Sequence, residues 1–151
     1  MRNESLNEAV NTIASECLAV RIRLLNRTVT NIFDAALRPL GVKVSQLNVL
    51  MVVAKRGPSS PGDVARRLNM EKSTLSRNVD RMRTRGWLKV SPGDSGRKQV
   101  LELAAPGRKL IEKSLPFWKK AQAQTEAMLG QQGARSIHRA ADVVWAQLGR
   151  I

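Results

Sequence analysis

Residue types that build catalytic or cross-linked sites are nearly absent from this 151-residue chain. It contains one cysteine, one histidine and no tyrosine, and its aromatic residues are three Trp and two Phe. A single cysteine forms no internal disulfide, and one histidine without further ligands predicts no metal site. We find no Ser-His-Asp spacing, glycine-rich phosphate loop or paired carboxylates in a recognisable context. The sequence therefore predicts neither an enzyme nor a bound cofactor.

Long apolar runs are also missing. The longest uninterrupted run is residues 49–54, far shorter than the roughly 20 residues that cross a membrane as a helix. Residues 1–5 contain no apolar signal core. We therefore expect a cytoplasmic protein with no membrane partner.

Positive charge is abundant and unevenly distributed. The chain has 26 Lys and Arg against 12 Asp and Glu, a formal net charge of +14. Residues 55–98 contain twelve basic and four acidic residues, so more than half of the excess lies in this segment. A concentrated positive field favours nucleic acid or anionic lipid as partner, and the short apolar runs favour nucleic acid.

The length suits one compact domain, and we expect residues 1–151 to form it. Helical periodicity runs from about residue 7 to residue 37, and Pro39 and Gly41 end this first helix. Two apolar tracks follow it: Ile13, Cys17, Val20 and Leu24, and then Leu18, Ile22, Leu25, Val29, Ile32 and Ala36. A helix with two apolar faces has more than one partner to pack against.

A second helix is predicted over residues 46–55, with Ser45 as its N-cap. Its apolar side chains fit a face turned to the core: Leu47, Leu50, Met51 and Ala54. Ser60 and Pro61 have the pattern of an N-cap followed by proline at the first helical position.

The C-terminal third is predicted to be helical. One helix extends from residue 107 to about residue 129 with a kink at Pro116, and a final helix spans residues 134–148. Because a helix-turn-helix usually reads half-sites in pairs, we expect residues 1–40 and 107–151 to form a homodimer interface. The alternative is a monomer in which these helices wrap the central segment.

The central segment, residues 45–103, has the pattern of a winged helix-turn-helix. Within it, a short helix at residues 63–68 is followed by a break at Asn69 and a longer helix over residues 71–85. Gly86 ends the longer helix. Two short strand-like runs, 87–90 and 99–103, then enclose a turn with Arg97 and Lys98 at its end. Such a helix can enter a major groove beside a basic hairpin, which predicts double-stranded DNA as the partner.

The longer helix is the predicted reading helix. Its periodicity turns Leu75, Val79 and Met82 inward. The side chains expected to face outward and contact DNA are Ser73, Thr74, Arg77, Asn78 and Arg81. Arg can donate two hydrogen bonds to guanine, Asn pairs with adenine, and Ser or Thr serves a base or a phosphate. A merely solvated surface would carry the same residue types, but the neighbouring turn and hairpin favour DNA reading.

Further cations complete the predicted DNA site. Arg66 and Lys72 suit phosphate contacts, and Lys98 lies beside the hairpin tip. Arg97 is the candidate for insertion into a minor groove, because narrow A·T-rich grooves attract a cation.

From Leu68 to Met82, and again from Arg85 to Leu88, the chain resembles the MarR family of bacterial transcriptional regulators. The resemblance covers almost the whole chain and implies a mainly α fold, a winged helix-turn-helix with a short β-hairpin wing flanked by long N- and C-terminal dimerisation helices. It also implies a homodimeric repressor in which each winged lobe binds one half of a palindrome. In this family a small, often phenolic, ligand held between the interface and the lobe relieves repression. Arg97 falls on the arginine of the family's wing motif.

Two alternatives stay open. Cys17 lies early in the first helix, as does the sensing cysteine in the peroxide-responsive branch of the family. That branch uses tyrosine hydroxyls to stabilise the thiolate and this chain has no tyrosine, so we interpret Cys17 as a packed core cysteine. The second alternative is a ligand-independent, nucleoid-type DNA binder, which steep salt dependence with little sequence preference would indicate.

The remaining aromatic residues are interpreted as packing residues. Phe117, Trp118 and Trp145 could line a ligand cleft, but in helices they more often fill a core or a dimer interface. Trp87, directly after Gly86, is predicted to anchor the wing to the core.

Overall fold

The computed structural model describes residues 2–93 and 98–149, and within them the fold is mainly helical. In chain order the elements are α1 (Arg2–Glu16), α2 (Leu18–Leu37), a 3-10 turn (Arg38–Leu40), α3 (Val44–Arg56), α4 (Pro61–Arg67), α5 (Lys72–Thr84), β1 (Leu88–Pro92), β2 (Gln99–Leu103) and α6 (Ala105–Leu148). The two strands pair antiparallel as a hairpin. A winged helix-turn-helix between long terminal helices, as predicted, is confirmed.

The predicted continuous first helix is wrong at Cys17, where the backbone is extended (φ −63°, ψ 108°) and separates α1 from α2. The Cys17 N–H still donates to the carbonyl of Ile13 at 3.0 Å. The guanidinium of Arg21 donates to the carbonyls of Cys17 and Ser15, which lost their helical partners at the break. A side chain from the first turn of α2 therefore stabilises an interruption that the apolar periodicity did not indicate.

The first apolar track does not lie in a core within the single chain, and the second is half-buried only at Val29, Ile32 and Ala36. Ile13, Val20 and Leu24 are 64%, 59% and 65% exposed, and Cys17 is only half-buried. The interpretation of Cys17 as a packed core cysteine is therefore wrong for the isolated chain. Near the other end of α2, Phe33 and Leu37 are buried against the rest of the fold.

Helix α3 and its N-cap begin two residues earlier than predicted. The N-cap is Lys43 rather than Ser45, and the Lys43 N–H donates to the side-chain oxygen of Gln46 at 3.0 Å. The next N–H, of Val44, donates to a carboxylate oxygen of Asp34 at 2.8 Å, so α2 fixes the start of α3. This partner lies ten residues away in sequence, which is why a local capping pattern did not reveal it.

Helix α3 is the centre of the core, and it contacts α2, α4, α5, α6 and β2. Its core face is broader than predicted, because Val49, Val52 and Val53 are buried beside Leu47 and Leu50. The assignment of Met51 and Ala54 to the core face is wrong, since both are exposed. A helix surrounded by several elements buries most of its circumference and leaves one narrow outer strip.

Helix α6 packs along α2 and carries two irregularities. Pro116 lies inside the helix. Gly130 takes a non-helical conformation (φ 70°, ψ 162°) and divides α6 into two helical parts, which agrees with the predicted break between two helices. The rings of Phe33 and Trp118 meet with centroids 6.3 Å apart, and Phe117 and Trp118 pack against the hydrophobic core. The packing interpretation of Phe117 and Trp118 is thus confirmed.

Among the described residues, no single helix is long and apolar enough to cross a membrane. One pair of helices, residues 18–40 and 44–56, reaches that length and composition only jointly and is bent by 78°.

Candidate nucleic-acid interface

The first helix of the motif, α4, begins with a side-chain cap. The Ser60 hydroxyl accepts a hydrogen bond from the Asp63 N–H at 3.1 Å, and Pro61 occupies the first turn. Both features match the prediction. A serine cap and an early proline fix the start of a helix that has only seven residues and little intrinsic stability.

The turn between α4 and α5 ends α4 abruptly. Asn69 has a positive φ of 46°, its N–H donates to the Arg66 carbonyl at 3.2 Å, and the Met70 N–H donates to the Ala65 carbonyl at 2.8 Å. This pattern is a Schellman motif with asparagine in the left-handed position. Because the turn is so short, α5 starts at Lys72 and projects away from α4, as a helix-turn-helix requires.

Helix α5 presents a polar face to solvent. Leu75, Val79 and Met82 are buried, whereas Ser73, Arg77 and Arg81 are exposed, as predicted. The side chains of Arg77 and Arg81 form no hydrogen bond or ion pair with any residue that the structure describes. Their guanidinium groups can therefore meet a partner without breaking an internal contact.

Two residues of this helix do not point outward as predicted. Asn78 is buried, with 8% of its surface exposed, and Thr74 is half-buried. Asn78 lies three residues after Leu75 and four before Met82, so its side chain shares the inward stripe with these core residues. Without a rearrangement of α5, the Asn78 amide is turned away from an approaching duplex.

Three of the predicted cations converge on one open groove. Arg66 of α4, Lys72 at the start of α5 and Lys98 before β2 line a groove of about 640 Å³, together with Ser60, Pro61, Gly62, Asp63 and Gln99. The three cations are separated by up to 32 positions in sequence, and only the fold places them together. Gln99, at the start of β2, was not predicted, because a polar residue at a strand end carries no specific sequence signal.

One carboxylate orders the cations of α4. Asp63 accepts a hydrogen bond from Arg67 Nε at 2.9 Å and also pairs with the Arg66 guanidinium. The hydrogen bond from Arg67, with the positive charges of Arg67 and Arg66, holds the pKa of Asp63 below its ordinary value of 3.8. Asp63 is therefore ionised at neutral pH, and it orients Arg66 at the edge of the groove.

The wing extends the same surface. Its register pairs Leu88 with Leu103. Ser59 forms an isolated β-bridge with Leu101 through two backbone hydrogen bonds of 2.8 and 3.1 Å. Lys98 is exposed, and the Gly93 N–H donates to its carbonyl. Arg97, the predicted minor-groove residue, lies outside the described residues.

The wing is held to the lobe at Trp87, which is buried as predicted. The Trp87 carbonyl accepts the Ala104 N–H at 3.0 Å, and the Arg85 guanidinium lies 5.3 Å from the centre of the indole ring. The start of α6, the end of α5 and the wing are thereby joined at one residue.

These features describe a surface built to contact a polyanion. It has an exposed helix face with Ser and Arg side chains, a groove lined by three cations and a hairpin beside them. In residues 2–93 and 98–149, no group of His, Cys, Asp and Glu side chains could hold a metal ion.

Comparison with known proteins also relates this chain to DNA-binding regulators. A model of the MarR family matches residues 40–98, which span α3 to the wing. A structure of MosR, a transcriptional regulator of M. tuberculosis, in complex with DNA aligns over 87% of this chain and 98% of the other, with 32% identity and a TM-score of 0.73. The chain belongs to the MarR family.

Other members show how widely the fold is shared. BpsR of Bordetella bronchiseptica, whose DNA binding is regulated by 6-hydroxynicotinic acid, is 22% identical and has a TM-score of 0.75 over 85% of this chain and 98% of that one. YwoH of Bacillus subtilis, described as an uncharacterized helix-turn-helix transcriptional regulator, is 29% identical over 76 residues, 50% of this chain. The chain spans 63% and 56% of the length of the curated relatives that it matches. MosR and YwoH are both described as transcriptional regulators, and the MosR structure contains DNA.

Proposed function

We propose that this MarR-family protein is a homodimeric repressor that binds palindromic operators and is released by a small ligand, such as a phenolic compound. Two observations carry the proposal: α5 exposes the side chains of Arg77 and Arg81, and Lys72 at the start of the same helix joins Arg66 and Lys98 around one groove. Residues 45–103 form the DNA-binding lobe in this proposal, and residues 1–40 and 107–151 form the dimer interface.

The exposed cations divide into base and phosphate contacts. Arg77 and Arg81 lie on the outward face of α5, where a guanidinium can donate two hydrogen bonds to guanine, and Ser73 lies one turn earlier. Arg66, Lys72 and Lys98 share a groove at the side of this face, which suits a sugar-phosphate backbone. Thr74 and Arg97 remain proposed contacts, whereas Asn78 would need to leave its buried position.

Exposed apolar side chains on the terminal helices support the homodimer. On α1 and α2 they include Leu6, Val10, Ile13, Leu18, Val20, Ile22 and Leu24, and on α6 Leu115, Met128, Ile137, Val143 and Val144. An isolated soluble chain rarely exposes so many large apolar groups on contiguous helices. Because the same helices occur in a second copy, a symmetric interface would bury both sets.

A cleft between α2 and α6 supports an effector site. It has a volume of about 490 Å³ and is lined by Thr28, Asn31, Ile32, Ala35, Ala36, Lys120 and Gln124. This volume lies within the range of small-molecule pockets, and the cleft combines apolar side chains with a few polar ones. Regulation of BpsR by 6-hydroxynicotinic acid shows that a relative with this fold responds to a small aromatic acid. A ligand wedged between α2 and α6 would alter the spacing of the two DNA-binding lobes.

The test is selection of bound sequences from random duplex DNA, carried out with the wild type, Arg77→Ala and Arg66→Ala. We expect a palindrome from the wild type, and about 1–3 kcal/mol lost per half-site with relaxed preference at one base position from Arg77→Ala. Arg66→Ala should weaken all sequences alike and lower the salt slope by about one.

Two results would contradict the proposal. Recovery of unrelated sequences with steeply salt-dependent binding would indicate a nucleoid-type binder. Equal weakening of every sequence by both substitutions would reduce Arg77 to a phosphate contact.

A further inference from the structure

Arg67 differs from the other cation at the end of α4. Its side chain is 16% exposed, whereas that of Arg66 is 61% exposed, although both pair with Asp63. The Arg67 Nε donates to Asp63 at 2.9 Å across one helical turn. A guanidinium that is mostly covered and already paired is poorly placed to reach a phosphate, so its role lies elsewhere.

The Arg67 guanidinium contacts the C-terminal end of α6. α4 contacts α6, and Gly149, which follows the last residue of α6, lies against the Arg67 guanidinium. A Cβ at position 149 would lie 3.3 Å from Arg67 Nη1, and the backbone there has a positive φ of 84°. Only glycine takes this conformation without strain, and its missing side chain gives the guanidinium room.

The electrostatics of this contact are favourable. The last turn of a helix carries partial negative charge on carbonyl groups without helical partners, and a cation near it is stabilising. α6 has no basic residue in its own last turn. Arg67, supplied by α4, brings a positive charge to that end, and Asp63 fixes the direction of the side chain.

We propose that Arg67 is a positioning residue that fixes the angle between the DNA-binding lobe and the C-terminal helix, and thereby sets the spacing of half-sites that the protein accepts. This inference rests on the proposed homodimer with two reading lobes. α5 follows α4 through a short turn, so a rotation of α4 against α6 carries the reading helix with it. Because base pairs are stacked about 3.4 Å apart, a displacement of that size changes the preferred spacing by one base pair.

The test measures affinity for palindromic duplexes that contain the selected half-sites and differ only in spacer length, from two base pairs shorter to two longer than the best. The proteins are the full-length wild type, Arg67→Met, Arg67→Lys and the control Arg66→Met. Met keeps an unbranched stem of similar reach without the charge. Arg66→Met removes a cation that shares Asp63 but lies exposed in the groove.

In Arg67→Met we expect the ratio between the affinities for the best spacer and a spacer one base pair longer to fall by at least about fivefold, with an unchanged salt slope. Arg67→Lys, which keeps the charge, should show a smaller fall in this affinity ratio than Arg67→Met. Arg66→Met should weaken all spacers equally and lower the salt slope by about one.

An unchanged spacing ratio in both Arg67 variants, or a salt slope lowered by one in Arg67→Met, would overturn the inference and leave the proposed function standing. A wild type that shows no spacing preference would instead contradict the proposed homodimer. Thermal unfolding shows whether each variant folds. If Arg67→Met does not, a spacing ratio in Arg67→Lys that equals the wild-type ratio overturns the inference, and a ratio lower than that of the wild type supports it.

Discussion

At the scale of single residues, Asp63 connects the cap of α4 with the placement of two arginine side chains. Its N–H is bound by the Ser60 hydroxyl, and its carboxylate pairs with Arg66 and Arg67. A carboxylate in the first turn also interacts favourably with the helix N-terminus. Because these partners favour the ionised form, the pKa of Asp63 is lowered.

This shift leads to a prediction for Asp63→Asn. A lowered pKa stabilises the folded state above the ordinary value of 3.8, and the contribution is lost as the pH falls through the folded-state pKa. We expect the substitution to lower the free energy of unfolding by about 1 kcal/mol at pH 7, since the pair is partly solvated. Urea unfolding should show the difference from wild type shrinking as the pH falls below 3.8.

Asp80→Asn is the matched control. Asp80 also pairs with an arginine three residues later, but at 3.6 Å and with 65% of its side chain exposed. Its effect should be close to zero at every pH. An Asp63→Asn effect of constant size from pH 7 to acid would contradict the role given to the ionised carboxylate.

At the scale of elements, the attachment of the wing to α6 depends on close backbone approach. Gly107 in the first turn of α6 is buried, and a Cβ there would overlap the Trp87 carbonyl oxygen and lie 2.9 Å from Leu103 Cδ1. The Trp87 backbone also binds the Ala104 N–H. The hairpin, the end of α5 and the start of α6 therefore meet without space for a side chain.

We predict that Gly107→Ala lowers the free energy of unfolding by about 1–3 kcal/mol, because the new methyl group forces backbone apart. Gly133→Ala is the control in the same helix. A Cβ at position 133 meets only the Leu129 side chain at 3.4 Å, an ordinary contact, so alanine should stabilise by up to about 1 kcal/mol through its helix propensity. Chemical unfolding of both variants checks the prediction, and equal effects of the two would refute the close-approach argument.

At the scale of the whole molecule, some apolar side chains are buried in the core and others are exposed on the terminal helices. The core cluster joins α2, α3, α4, α5, the wing and α6. The large apolar residues of α1 and the first half of α2 lie outside it, most of them more than half exposed. Burying such side chains provides about 25 cal/mol per Å², which favours association with a second copy.

We therefore predict a dimer of about twice the 16.7 kDa chain mass in light scattering at micromolar concentration. Leu24→Glu places a charge on the exposed apolar face of α2 and should shift the protein towards monomer. Met51→Glu changes a partly exposed apolar residue on α3, outside the terminal helices, and should leave the mass unchanged. A wild-type monomer that still binds a palindrome tightly would refute this architecture.

Local signals were sufficient to locate the helix-turn-helix in the sequence. The Ser60 cap, the turn at Asn69 and the alternation of Leu75, Val79 and Met82 each act within about one helical turn. The free energy of each cap, turn or side-chain pair depends on neighbours close in sequence. These features can therefore be predicted without knowledge of the fold. The family resemblance rests on the same segment.

The structural features that were predicted wrongly from the sequence depend on contacts between different elements. The start of α3 is set by Asp34 of α2, which lies ten residues before Val44. Asn78 lies at the edge of the inward stripe, where periodicity alone does not tell whether a neighbouring element covers it. Packing between elements decides such positions, and packing is not local.

The sequence by itself determined where this protein carries its winged helix-turn-helix and which cations surround it, because caps, turns and periodicity act over a few residues. Only the tertiary structure decided that Arg66, Lys72 and Lys98 share one groove, whereas Arg67 turns to the end of α6. Neighbouring arginines with the same carboxylate partner have the same local chemistry. Arg67 lies against Gly149, a residue 82 positions later in the chain, and only the folded arrangement brings the two into contact.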